Sequence, residues 1–244
     1  SCAFNFLVPM AVGAHVYLLG KVPSPKILLK AFEEVKPNLI LTVPLILEKI
    51  YKKMILPQLS KTTMKVALNI PLLDSRIYAQ IRKKLVDAFG GRFREVIVGG
   101  AAMNEEVTNF LYKIKFPFTI GYGMTECGPL ISYDHNDEYV PGSCGQILKG
   151  IMKVRIDSED PYNKVGEIQV SGENVMKGYY KNEEATSKVF TEDGWLRTGD
   201  LGTIDADNRI YIRGRSKTMI LGASGQNIYP EEIESKLNNL PFVM

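Results

Sequence analysis

Apolar positions in the first half of the chain recur at helical spacing and then in short unbroken runs. Ile27, Leu28, Ala31, Phe32 and Val35 mark one face of a helix. Ser24 and Pro25 stand before it, a cap followed by a residue suited to the first helical turn. Pro37 ends it, and residues 38–43 form an apolar run expected as a strand buried on both faces of a parallel sheet. A second helix is expected from Pro44 to about Leu56, apolar at Leu45, Ile46, Ile50, Tyr51 and Met54. A third runs from a cap at Asp74 to Phe89, with Ile77, Ile81, Leu85 and Phe89 on one stripe and Gly90-Gly91 closing it. Residues 94–98 read as a strand. Asn104 caps a helix over 105–115, with Glu105 and Glu106 favourable in its first turn, and 116–120 is a further strand. This alternation predicts an α/β fold with a mainly parallel sheet.

After about Pro141 glycines and prolines punctuate short apolar runs at 152–157, 166–171 and 210–213, and helical spacing survives only near 183–188. That texture predicts a small antiparallel sheet or barrel. A strand over 218–221, a flexible turn at Gly222–Gly225 and a helix over 230–240 then read as the opening of another domain. The expected organisation is a parallel-sheet α/β subdomain over 1–140, a small antiparallel β-barrel subdomain over 141–215, and the beginning of a C-terminal α+β domain over 216–244. The first twenty residues hold no Asp, Glu, Lys or Arg. Asn5, Pro9, Gly13 and His15 interrupt them and no basic stretch precedes them, so a buried helix and a strand over 14–19 are expected, with no membrane-spanning segment.

Composition narrows the function classes. A formal charge of +3 over 244 residues is too weak to imply nucleic acid or an anionic membrane surface. Three cysteines, irregularly spaced, make neither a disulfide framework nor a paired metal site, and fit a reducing, cytoplasmic setting. His15 and His135 are the two histidines, little material for a zinc centre or a Ser-His-Asp triad. The chain begins with Ser and stops just after an expected helix, so it reads as a piece of something larger.

Four stretches carry candidate chemistry. In Gly121-Tyr122-Gly123-Met124-Thr125-Glu126 a strand runs into a glycine turn and a polar pair. Glycines let backbone approach a ligand, Tyr122 offers a flat face to a base, Thr125 a donor to a phosphate oxygen, and Glu126 the hard oxygen that Mg²⁺ prefers. Taken alone, the stretch reads equally as a tight turn capped by Thr125. Gly99-Gly100-Ala101 lets a planar group lie on bare backbone, or simply makes room in a loop. Leu196–Asp200 places a carboxylate on a glycine turn between strands, where Asp200 can accept from two vicinal hydroxyls or cap its own turn. Residues 213–217 bring Arg213, Arg215 and Lys217 together, as a phosphate-side cluster or a solvated basic turn. In an α/β sheet ligands bind beyond the carboxyl ends of strands, where the first two stretches lie.

The string Tyr122-Gly123-Met124-Thr125-Glu126, then Gly166-Glu167 and Gly178-Tyr179-Tyr180, then Trp195 through Asp200, then Gly214-Arg215 and Pro230 through Glu234 resembles the adenylate-forming superfamily of acyl-CoA synthetases, nonribosomal peptide synthetase adenylation domains and luciferases. Order and spacing agree over roughly residues 90–240. Thr42-Val43-Pro44 with Ile50-Tyr51, and Ser224 through Pro230, are most similar to long-chain fatty acid–CoA ligases. The resemblance implies an acid–thiol ligase that uses ATP, Mg²⁺ and coenzyme A on a fatty acid. It implies that Tyr122 stacks on adenine beside the Gly99, Gly100 and Ala101 backbone, with Gly123 in the same turn. Thr125 holds a phosphate and Glu126 binds Mg²⁺, these two carrying the catalytic role. Asp200 and Arg215 meet the ribose, Lys217 is the hinge of a swinging C-terminal domain, and Gly222–Gly225 lines the pantetheine channel.

Two departures stand beside these matches. The family's phosphate loop, rich in Ser, Thr and Gly and ending in Lys, has no match in residues 1–90, and its late catalytic Lys has none before Met244. The 244-residue piece is therefore expected not to complete adenylation by itself. The alternatives are an amino-acid-activating adenylation domain and a non-catalytic nucleotide-binding module. No acidic residue lies in 38–43 to meet an α-ammonium, and 1–20 is uncharged, which favours an apolar acyl chain. Peripheral membrane contact stays open.

Overall fold

Prolines and glycines set most element boundaries. The computed structural model describes residues 3–20, 24–70, 73–221, 227–238 and 240, and divides into two compact units, Ser1–Thr119 and Ile120–Met244. In the first unit a π-helical turn, Ala3–Leu7, leads into helix α1 (Val8–Ala11), and then α2 (Pro25–Val35), strand β1 (Leu39–Thr42) and α3 (Pro44–Ile50). A second π-helical stretch, Tyr51–Ile55, joins α3 to α4 (Leu56–Leu59), followed by α5 (Thr62–Leu68), α6 (Leu73–Ala88), β2 (Glu95–Val98), α7 (Glu105–Lys113) and β3 (Phe118–Ile120). The strands lie in the order β1-β2-β3, and β1 runs parallel to β2 with Ile40 opposite Val96.

Local chemistry accounts for these elements. Ser24 Oγ accepts from Ile27 N at 3.4 Å, and Asn104 Oδ1 accepts from Glu106 N and Val107 N at 3.0 and 3.3 Å, each satisfying donors a helix start leaves open. Gly90 takes φ +93°, and a Cβ there would overlap the Phe32 carbonyl oxygen, so the end of α6 packs on α2 only with glycine. Phe89, Phe93 and Phe116 meet at centroid distances of 5.5–5.9 Å and fill the core beside the buried Val96 and Val98.

Four expectations in this unit are corrected. Residues 14–20 form no regular element, and the preceding helix is exposed along Phe6, Leu7, Val8 and Met10; Gly13 at φ +70° breaks the helix, and among the described residues no strand pairs with 14–20. Among the described residues β1 lies at the sheet edge. Leu39 and Val43, which share one face, are 49% and 50% exposed while Ile40 on the other face is buried, so the apolar run is covered on one face only. The helix expected from Pro44 to Leu56 opens into π geometry, Leu56 N bonding back to Tyr51 O, because Pro57 has no N–H to continue the ladder. Asp74 lies inside α6 and not before it, its Oδ1 accepting from Ser75 N at 2.6 Å.

The second unit holds β4 (Tyr122–Gly123), a 3₁₀ turn (Thr125–Cys127), β5 (Leu130–Ser132), β6 (Met152–Asp157), β7 (Gly166–Gly172), α8 (Glu183–Val189), β8 (Leu196–Ile204), β9 (Ile210–Arg215), β10 (Ile220–Leu221), β11 (Asn227–Ile228) and α9 (Pro230–Leu237). The antiparallel region expected as a barrel takes the form of a four-stranded meander, β6-β7-β8-β9. Ile131, Ile168, Val170, Leu196 and Ile210 are fully buried and form its core with Tyr122 and Cys127. The glycine turn expected at Leu196–Asp200 is instead the first half of a nine-residue strand, β8, which keeps Gly199 at φ +74° and shifts register at Leu201/Gly202. The turn expected at Gly222–Gly225 lies outside the described residues. Among the described residues no helix is long and apolar enough to cross a membrane.

Candidate functional site

Asp200 sits on β8 directly opposite Arg215 on β9, a pairing set by the antiparallel register. Its carboxylate is held from two sides: Oδ2 accepts from the Tyr122 hydroxyl at 2.7 Å and Oδ1 pairs with Arg215 Nε at 3.1 Å. The backbone beneath is fixed as well. Asp200 N donates to Thr198 Oγ1, which donates onward to Ile168 O, and Gly199 N donates to Glu167 Oε1. Ser216 donates to the Gly199 carbonyl through both its N–H, at 2.9 Å, and its hydroxyl, at 3.1 Å. An ionised carboxylate has about four acceptor positions. Among the described residues each oxygen meets a single donor, on a side chain 8% exposed, which leaves one acceptor position per oxygen, the number a vicinal diol requires.

Tyr122 is placed differently from a freely exposed stacking face. Its ring is buried in the sheet core at 7% exposure, and only its hydroxyl reaches the site. Burial, and then the Asp200 charge, push its phenol far above the ordinary tyrosine value, so it remains a donor. Gly123 serves the chain's own packing. Its Cβ would overlap the Pro129 carbonyl oxygen and crowd Leu130 Cα, which closes the β4–β5 pairing to anything larger.

Glu126 lies in the 3₁₀ turn, half-buried, with Oε1 accepting from the Tyr179 hydroxyl at 2.9 Å. That hydrogen bond, with burial second, raises the Tyr179 phenol. The turn is pinned from below by Asn174 Nδ2, which donates to Cys127 O at 2.6 Å and Leu130 O at 2.9 Å, and by Met176 N, which donates to Glu126 O. Thr125, next to Glu126, is exposed. Among the described residues no three His, Cys, Asp or Glu side chains cluster as a metal cage. A single carboxylate is what Mg²⁺ takes from protein when substrate phosphates and water supply the rest, so Glu126 fits that ion.

Lys217 is exposed, two residues beyond Arg215. Beside it Thr218 Oγ1 donates to Glu231 Oε1 at 2.6 Å, and Gly214, buried, leaves the space that Glu231 and Tyr229 occupy against β9. Gly99, Gly100 and Ala101 belong to the first unit, at the carboxyl end of β2; Gly100 takes φ +89° and a Cβ there would point into open space. The structure brings Tyr122, Asp200 and Arg215 together as neighbours. Tyr179, Asn174, Glu167 and Thr198, which orient the site, carry no sequence signal of a role. Tyr179 stands 53 residues from Glu126, and no spacing rule links them. In the meander, Arg155 pairs with both oxygens of Asp193 and lies 4.6 Å from the Trp195 ring centroid, fixing the start of β8 to β6.

A family profile described as AMP-binding enzyme matches residues 1–180. The chain belongs to the AMP-binding enzyme family. Long-chain-fatty-acid–CoA ligase 1 of Saccharomyces cerevisiae is 29% identical over 228 residues, 86% of this chain and 33% of the relative. 4-Coumarate-CoA ligase 1 of Narcissus pseudonarcissus is 35% identical over 184 residues, 70% of this chain and 33% of the relative. The solved structure of O-succinylbenzoate coenzyme A synthetase from Bacillus subtilis, in complex with ATP and magnesium ion, is similar with a TM-score of 0.70 at 25% identity, over 96% of this chain and 42% of that one. The resemblance to adenylate-forming enzymes and the mixed α/β fold with parallel and antiparallel sheets both hold. The chain spans about a third of the length of these curated relatives, and they differ in the acid their names give.

Proposed function

We propose that the chain is the nucleotide-binding part of an ATP-dependent acyl-CoA ligase acting on a long-chain fatty acid. The observation that carries the proposal is the Asp200 carboxylate, fixed between Tyr122 and Arg215 with, among the described residues, one donor on each oxygen. In this reading Asp200 accepts from the ribose hydroxyls of ATP and Arg215 meets the ribose from the exposed side. Thr125 donates to a phosphate oxygen. Glu126 would hold Mg²⁺, which offsets negative charge on the phosphates. Gly99, Gly100 and Ala101 offer bare backbone to a planar group, and Lys217 is the hinge at which a C-terminal domain, beginning near residue 216, turns between half-reactions.

A carboxylate is a poor electrophile at neutral pH. Its attack on the α-phosphate of ATP releases pyrophosphate and leaves an acyl-adenylate, which the thiol of coenzyme A then opens with AMP departing. The chain's residues contribute position and electrostatics, since no proton must move before the first step. The fatty-acid assignment is supported by the yeast relative, matched over more of this chain than the coumarate relative. A chain of the relatives' length, assayed with palmitate and with 4-coumarate for AMP release dependent on coenzyme A, tests it. Turnover of palmitate at least tenfold faster is expected, and a preference for coumarate would overturn the acid assignment. For the 244 residues alone, ATP binding without ATP–pyrophosphate exchange is expected.

A further inference from the structure

We propose that Tyr122 is a positioning residue for Asp200, and that its hydroxyl, more than its ring face, sets preference for a nucleotide carrying both ribose hydroxyls. The inference rests on the reading of Asp200 as the ribose carboxylate. Two neighbours fix that carboxylate, and they are unlike. Arg215 holds Oδ1 from a side chain that is 71% exposed, so it is free to sample other positions. Tyr122 holds Oδ2 from inside the core, its side chain part of the buried cluster that includes Cys127, Ile131, Ile168 and Leu196 and its backbone paired to Ser132 through β4–β5. The rigid partner defines the angle of the carboxylate plane, and the mobile partner follows it.

Bidentate recognition of a diol depends on that plane. If the carboxylate turns, one oxygen leaves its hydroxyl, and a ligand with two hydroxyls loses the advantage it had over a ligand with one. A ring stacked on a base makes a different demand, because stacking is indifferent to the sugar. The two roles therefore separate in Tyr122→Phe, which keeps the ring and its packing and removes only the donor.

The test measures binding of ATP, 2′-deoxy-ATP and 3′-deoxy-ATP to the chain by calorimetry, with melting curves for each variant. The chain is expected to bind ATP about tenfold more tightly than either deoxy nucleotide, a hydrogen bond to a charged group being worth about that much or more. In Tyr122→Phe, ATP affinity should fall about tenfold while the deoxy nucleotides change little, so the preference collapses. In Asp200→Asn the preference is lost already, and adding Tyr122→Phe should cost nothing further; this double variant also leaves no unpaired carboxylate if the single one melts below the assay temperature. An unchanged ATP to deoxy-ATP ratio in Tyr122→Phe would overturn the positioning role, as would an equal loss for all three nucleotides. If the parent chain shows no preference, or Asp200→Asn binds ATP normally, the ribose reading fails, and that outcome is distinguishable because it appears without touching Tyr122.

Discussion

The Tyr179 hydroxyl donates to Glu126 Oε1 at 2.9 Å, joining the turn after β4 to the segment before α8. It holds the carboxylate proposed for Mg²⁺ in one orientation, and among the described residues the second oxygen meets no donor. Tyr179→Phe should raise the Mg²⁺ concentration for half-maximal ATP binding about threefold, the size of a partly exposed hydrogen bond worth under ~1 kcal/mol. Titration of Mg²⁺ into chain and ATP measures it. Because Tyr179 is 37% exposed, the melting temperature should barely move, and a large drop would recast the residue as a packing element.

Gly123 and Gly100 predict opposite reasons for glycine. Gly123→Ala drives a methyl into the Pro129 carbonyl, backbone immediately before the paired strand β5, and should cost ~2–4 kcal/mol in urea unfolding. Gly100→Ala meets open space and only the strain of φ +89°, so ~1–2 kcal/mol is expected. A larger loss at Gly100 would contradict this packing account.

Burial holds the Cys127 and Cys144 thiols protonated up to about 12. In the unfolded chain a thiol ionises near ~8.5. Between these values the unfolded state has released protons that the folded state keeps. Stability is therefore full below ~pH 8.5 and drains as pH rises toward 12, by up to ~1.4 kcal/mol per pH unit for each thiol. The slope of urea stability between pH 8.5 and 10 should flatten in the Cys127→Ala/Cys144→Ala double variant. A slope unaltered by the double variant would assign the loss elsewhere.

Trp195 is the single tryptophan and reports on Arg155. Arg155→Ala removes the guanidinium beside the ring and should shift its emission to the red at neutral pH. Arg155 also holds the Asp193 carboxyl well below the usual carboxylate range. The pair therefore stays formed above the ordinary Asp value and is lost only as pH falls through the depressed one. Emission constant from pH 7 to 4, changing only below, is the expected result; a transition centred at the ordinary value would show that the pair does not form.

What the sequence made legible was mostly local. Helix starts at Ser24 and Asn104 and the strand at Met152–Asp157 follow from neighbouring residues, and the structure has them. In β8 a glycine followed by an Asp reads as a turn, whereas Gly199, at positive φ, is a bulge carried by pairing with β7 and β9. Exposed Phe6, Leu7, Val8 and Met10 show the converse, since an uncharged run signals burial only where a partner exists. Motif order brought out Asp200, Arg215 and Glu126. The residues that aim them, Tyr179 and Thr198 among them, act through tertiary contacts that no periodicity records.

Tyr122 and Asp200 stand 78 residues apart, and Asp200 and Arg215 face each other only through strand pairing. Such a carboxylate has no half-built state. Local opening of β4, of β8 or of β9 each erases it entirely, so its population equals that of the least stable of the three pairings. A nucleotide bound there would slow amide exchange at strands far apart in the chain by a common factor, since it closes all three openings at once. The meander would then behave toward hydrogen exchange as one cooperative block when liganded and as several when empty.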